Sequence, residues 1–332
     1  MQTFDTETVE SINPAVPPRI VLRKQGRMAT MGISIRRSWQ LYTMLFLPML
    51  WLAIFAYIPM WGAQIAFRDY IPSGGFAGIS SAPWVGFEHF QRFFDSYNFW
   101  PIMQNTIVLN VYSLIAGFPL PIILALALNY VRQRHFKKTV QMVSYAPHFI
   151  SVVVMVGILF QLLASGGMVN QLLGLFGIDP ILFMNEPGYW KSIYVWSGVW
   201  QNVGFNCIIY LAALSGIDPT LHEAAILDGA NKLQRMRDID LPGILPVALI
   251  LLILNMGTLL STGFEKVILM QNALNRSTSE VIDSYVYWVG LGSDIPQFAY
   301  AAAIGLFKSV IGLVLLYTVN MMARRLQGSS LW

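Results

Sequence analysis

The sequence predicts an all-α membrane protein of six transmembrane helices, and three observations carry that prediction. Hydrophobic residues make up 55% of the chain and charged residues only 11%, against roughly 25% charged in a soluble domain. Six stretches, at 41–63, 107–130, 141–163, 192–214, 243–262 and 299–322, are free of charge apart from Lys308 in the last. Each is near the ~20 residues that a helix needs to cross about 30 Å of hydrocarbon. Helices are required because backbone groups in lipid must be satisfied within the segment, and the runs are too long for barrel strands.

Taken in order, residues 1–37 are polar, contain Pro14, Pro17 and Pro18, and show no apolar core followed by a small-residue cleavage site. They read as an N-terminal tail before an uncleaved first helix. A membrane domain over 38–326 follows, and 327–332 form a short C-terminal tail. Arg19, Arg23, Lys24, Arg27, Arg36 and Arg37 precede the first span, four more basic residues lie between spans two and three, three lie between spans four and five, and Arg324 and Arg325 end the last. The other side carries only Arg68, Arg92, Lys191, Lys266 and Arg276. This imbalance puts both termini and the loop after span four in the cytoplasm. It also accounts for the net charge of +4 without a nucleic-acid partner.

Within the spans, polar residues mark interior faces, because lipid excludes them. Span four carries Trp196, Trp200, Gln201, Asn202, Asn206 and Tyr210, and span five Asn255, Thr258, Ser261 and Thr262. Such a set offers aromatic faces and hydroxyl-binding groups for a solute path, of which Trp200, Gln201, Asn202, Asn206, Asn255, Thr258 and Lys308 are the candidates. Interhelical packing and hydrogen bonding are the plainer role for any one of them. Lys308 faces the path or is neutralised, by Glu265 or by backbone carbonyls. Pro147 frees a carbonyl in span three, and His148 reads as a hydrogen bonder at that kink. Cys207, the single cysteine, reads as a small apolar filler. Metal ligands and nucleophile–base pairs are not clustered, so an intramembrane enzyme is disfavoured.

Between spans four and five lies a polar island, 215–242. Asp218-Pro219 is a helix start, with Asp as N-cap and Pro at the first helical position. Leu221, Ala224, Ala225 and Asp228 share one side of that helix, and the alanines admit a close partner surface. Gly229 supplies the permissive backbone that redirects the chain into a second helix, Asn231 to Ile239, expected to close at Leu241-Pro242. Glu223 is exposed and placed to meet a basic group.

Glu223-Ala224-Ala225, Asp228-Gly229-Ala230 and Ile239-Asp240-Leu241-Pro242 together resemble the "EAA" loop of bacterial ATP-binding cassette import permeases, with Met236 standing where the sugar branch often has Phe. The resemblance extends over about 40–326. Pro83-Trp84-Val85-Gly86-Phe87-Glu88-His89-Phe90 with Asn105-Thr106 is similar to the first outer loop of carbohydrate permeases. Tyr145-Ala146-Pro147-His148-Phe149-Ile150-Ser151, Gly263-Phe264-Glu265-Lys266-Val267 and Gly305-Leu306-Phe307-Lys308-Ser309 are similar to the branch importing complex oligosaccharides or polysaccharide fragments.

The resemblance implies the type I importer permease fold in a bacterial inner membrane. It implies a second homologous permease, two ATPase subunits that bind MgATP, an extracytoplasmic solute-binding protein and an oligosaccharide substrate. Residues 166–180 would form a short outer helix against that binding protein. ATPase coupling would fall to Glu223, Ala224, Ala225, Asp228, Gly229, Ala230, Leu241 and Pro242. The chain has no Gly-rich phosphate loop ending in Gly-Lys-Ser or Gly-Lys-Thr, so it would be a transport subunit without cofactor or catalytic residues of its own. The alternatives are a permease of the same superfamily for another small solute, and an ion-coupled secondary transporter, which would normally show two related halves.

Overall fold

The computed structural model describes residues 38–327. The expected tail at 1–37, with its six basic residues, lies outside the described residues, as do 328–332; Gln327 still belongs to the last helix, Phe298–Gln327. All regular elements among the described residues are helical apart from one isolated bridge between Arg68 and Trp84. Five stretches are long and apolar enough to cross a membrane: Trp39–Phe67, Phe99–Tyr130, Val152–Gly174, Lys232–Gly257 and Phe298–Arg325. The bent pair Pro187–Ser215 and Pro219–Leu227 supplies a sixth.

The chain divides into two compact units after Gly62. In the first, Trp39–Leu52 passes through a π turn, Ala53–Tyr57, into Ile58–Gly62. Pro48 lies inside this helix and cannot donate to the preceding turn, a defect that membrane helices tolerate.

In the second unit, span two begins at Phe99, not near 107, and runs as Phe99–Gly117 and Pro119–Tyr130. Asn105 and Thr106, polar residues expected only at the head of the span, lie inside this helix. Their fit comes from distant chain: Asn105 donates to Ser277 O at 2.9 Å and Glu280 O at 3.2 Å, and the Thr106 hydroxyl accepts from Ile282 N at 3.0 Å.

The third expected span, 141–163, is not one helix. Arg134–Tyr145 ends in a tight turn, Ala146–Phe149, and a new helix, Val152–Leu163, starts at Ser151, whose hydroxyl accepts from Val154 N at 3.3 Å. Pro147 disfavours a continuous helix, and Ile150 and Ser151 are extended. Before the break, Arg134–Tyr145 lies so close to span four that a side-chain carbon on Gly204 would stand 2.1 Å from Ser144 O. Only glycine fits there.

Span five also differs. The second elbow helix was expected to stop at Leu241-Pro242; instead Lys232–Arg235 continues through a π turn, Met236–Asp240, directly into Leu241–Gly257. Pro242 sits in the first turn of the last segment, just after a π turn closed by Leu241 N donating to Met236 O, and this wider turn accommodates the proline without ending the helix. The helix then ends at Gly257, so 258–262 is not helical span but a connection with Thr262 buried.

Span four packs chiefly against span two and against Arg134–Tyr145, while span five packs against spans four and six. Three apolar clusters result. One joins Leu109, Met155, Trp190, Val267 and Met270; one joins Ala125, Leu128, Cys207, Tyr210 and Ile244; a third joins Phe93, Ile102, Ile282, Tyr300 and Ile304. Cys207 is thus buried filler in the cluster nearest the elbow. The helices keep many large apolar side chains outward, among them Ile123, Val153, Val310 and Val314, as a lipid-facing surface demands.

Candidate functional site

The island forms an elbow. Helix Pro219–Leu227 turns 72° from Pro187–Ser215. The Asp218 carboxylate accepts from Thr220 N at 2.9 Å, and this hydrogen bond holds its pKa below the usual carboxylate range. The cap therefore contributes fully above that range and is lost as pH falls through the lowered pKa. At the other end, Gly229 N bonds Ile226 O at 3.0 Å and Ala230 N bonds Ala225 O at 2.8 Å, the Schellman pattern, with Gly229 at φ 81°. Asn231 and Gln234 then exchange side-chain and backbone bonds of 2.9 and 2.7 Å in a capping box that starts the return helix.

Glu223, Ala224 and Asp228 are exposed, as are Gly229, Leu241 and Pro242, while Ala225 and Ala230 are half-buried. Leu221, Ile226, Leu227 and Leu233 add large exposed apolar side chains, Leu227 at 89%. A helical handle of this kind, with an acidic group beside small and apolar residues, suits docking by another protein more than contact with water.

What anchors the handle was not evident from the sequence. Asp240, in the π turn, is fully buried. Tyr130, the last residue of span two, donates its hydroxyl to Asp240 Oδ2 at 2.6 Å. His222 Nε2, from the first elbow helix, stands 3.2 Å from Oδ1, close enough for an ion pair when protonated but outside hydrogen-bond alignment. The Arg235 guanidinium lies 5.8 Å from the centre of the Tyr130 ring. One buried carboxylate thus connects the elbow helix, span five and span two. A buried charge is costly unless so partnered, which makes the arrangement specific.

The solute-path candidates do not form one group. Asn206, Asn255 and Thr258 line a cavity of ≈ 580 Å³ together with Asn110, Ser113 and Ser261. Gln201, Asn202 and Asn206 line an adjoining cavity of ≈ 260 Å³, which shares Ser113 and Gly117 with the first. Gln201 is mostly engaged with the span-three break, donating to Ile150 O at 2.8 Å, and Asn202 Oδ1 lies 3.0 Å from His148 Nδ1. His148 is therefore a hydrogen bonder at the kink, through a side chain of span four and not the freed carbonyl. Trp200 lines neither cavity and is half exposed.

Lys308 is apart from both, on the wall of a third cavity. Its ammonium pairs with Asp283, not with Glu265. The other Asp283 oxygen accepts from Thr262 N at 2.9 Å, and the Thr262 hydroxyl accepts from Asn110 at 2.9 Å. Asp283 escaped notice because it sits on Ile282–Tyr287, a short helix outside the apolar runs that folds back among the spans. Asn110 and Ser113 carried a usable signal, since they are polar residues in an apolar stretch, as on span four.

A family model described as "Binding-protein-dependent transport system inner membrane component" matches residues 117–328. The chain is 41% identical over 320 residues to the polygalacturonan/rhamnogalacturonan transport system permease protein YteP of Bacillus subtilis (strain 168), covering 96% of this chain and 98% of that protein. It is 38% identical over 308 residues to protein LplB of the same organism, covering 92% and 95% respectively. A crystal structure of a bacterial ABC transporter involved in the import of the acidic polysaccharide alginate contains a chain that superposes with a TM-score of 0.82 at 38% identity, covering 90% of this chain and 99% of that one.

Proposed function

The chain belongs to the family of binding-protein-dependent transport system inner membrane components, and from that premise we propose that it is one permease half of an ATP-driven importer of oligosaccharides or polysaccharide fragments. The observation that carries this reading is the elbow. Its exposed Glu223-Ala224-Ala225 helix turns away from span four, and its return helix is continuous with span five. A partner that grips it can move two spans at once.

In this reading two ATPase subunits hold MgATP and clamp the elbows of this chain and of a second, homologous permease. Closure of the ATPases moves the elbow ends of spans four and five together, and the cavity lined by Asn206, Asn255 and Thr258 opens to the other side. An extracytoplasmic binding protein delivers the solute and favours the same state by its differential contacts. Charge asymmetry supports cytoplasmic termini in an inner membrane. Relatives named for polygalacturonan/rhamnogalacturonan transport and alginate import support a saccharide substrate.

The test is co-expression with candidate partners and reconstitution into vesicles, followed by uptake of neutral and acidic oligosaccharides with and without ATP. ATP- and binding-protein-dependent uptake is expected. Uptake driven by an ion gradient without the ATPase would replace this reading by the secondary-transporter alternative, and ATP-driven uptake of a different solute would replace the substrate class.

A further inference from the structure

Two lysines approach the cavities from within the bundle, and they differ in one respect. Lys308 is neutralised by Asp283. Lys266, on helix Phe264–Met270, is more deeply buried at 8% exposure, yet among the described residues no carboxylate stands within ion-pair distance of it. Its ammonium donates to Tyr194 O at 2.7 Å and lies 4.5 Å from the centre of the Tyr194 ring. A carbonyl and an aromatic face use only part of an ammonium with three donors, and burying such a cation without a counter-charge is expensive.

The cation is also accessible from one side. Lys266 lines the ≈ 260 Å³ cavity. Gly198 on span four keeps that approach open, since a side-chain carbon there would stand 3.3 Å from the ammonium. Across the same cavity Asn206 makes no hydrogen bond to any described residue, and the Ser113 hydroxyl, which donates to Leu109 O at 2.8 Å, keeps its lone pairs free to accept. The cavity wall therefore offers one uncompensated positive charge beside neutral groups able to bind hydroxyls.

We propose that Lys266, with Gly198 and Asn206, forms a subsite for a carboxylate-bearing saccharide, so that the transported solute is an acidic sugar chain of the uronate type. The inference rests on the transport reading above and deepens it. A carboxylate entering the cavity supplies the missing counter-charge, while Asn206 and Ser113 are at hand for ring hydroxyls. Sequence placement hid this role, because Lys266 lies beyond the helical end of span five and counts there as an ordinary outer charge.

The experiment uses the whole importer in proteoliposomes, supplied with saturating loaded binding protein so that discrimination by that protein does not limit uptake. The solutes are an oligogalacturonate as free acid and the same oligomer methyl-esterified. The wild-type complex is expected to import the free acid preferentially. In Lys266→Gln the ratio of free-acid to ester uptake should fall about tenfold, the low end of what losing a buried charge partner does. Gly198→Ala, which crowds the ammonium without removing it, should lower the same ratio about threefold, and it serves as the test if Lys266→Gln does not assemble. An unchanged ratio in an assembled Lys266→Gln complex, or in Gly198→Ala, overturns the subsite alone. Uptake of neither solute by an assembled, ATP-hydrolysing wild type overturns the transport reading, and the subsite with it.

Discussion

Gly229 is the residue on which the elbow turns. Its φ of 81° lies in the left-handed region, and an added side-chain carbon would meet nothing within 4 Å, so any loss on substitution is conformational and not steric. An L residue there costs on the order of 1–2 kcal/mol, more when β-branched, whereas Asn adopts the same backbone more readily. Gly229→Val should uncouple solute uptake from ATP hydrolysis, and Gly229→Asn should retain most coupling; equal activity of the two in reconstituted vesicles would refute the backbone argument. Glu223, in the proposed coupling role, would act differently, through its exposed carboxylate. Glu223→Ala should weaken ATPase association by roughly 2–5 kcal/mol if the pair it forms is desolvated on docking. Co-purification of the ATPase at wild-type stoichiometry and affinity would remove Glu223 from the interface. Both residues were legible in the sequence, because a helix stop and an exposed acid are local signals.

Elements were legible where their ends are encoded nearby and misread where distant chain decides. Asp218-Pro219 starts a helix as read, whereas Pro147, read as a kink within one span, separates two helices. The return helix passes Pro242 by way of a wider π turn just upstream, and nothing in the local sequence announces that turn. Likewise span two begins at Phe99 because Asn105 and Thr106 find partners more than 170 residues away. The same long-range logic governs the elbow's attachment. Tyr130→Phe removes the 2.6 Å donor to a fully buried carboxylate and should cost about 1–3 kcal/mol of local stability. Backbone hydrogen exchange over 219–235 should then quicken while span six keeps its protection. If exchange in the elbow is unaltered, Asp240 does not anchor it.

At the scale of the whole bundle, the deciding question is whether the charge on span six serves the solute or the assembly. Composition and spacing showed that Lys308 needs a partner but not which, since Asp283 comes from a helix that returns among the spans only after folding. The chain of contacts runs from Lys308 through Asp283 and Thr262 to Asn110, so one carboxylate holds span six, the connection after span five and span two in register. The side chains are 19% and 18% exposed, so breaking the pair should cost about 2 kcal/mol, less than the ~3–5 of a fully buried pair. Lys308→Met and Asp283→Leu should each lower the melting temperature of the assembled complex, and the double variant should recover much of the loss, because it leaves no lone charge. A pore-facing role for Lys308 predicts another pattern, in which Lys308→Met abolishes uptake at unchanged stability and Asp283→Leu is tolerated. Melting curves and uptake on the three variants separate the two, and the geometry supports the first: the ammonium is held where it fixes the walls of the path, leaving contact with the solute to groups on spans two and four and on the chain from Asn255 to Lys266.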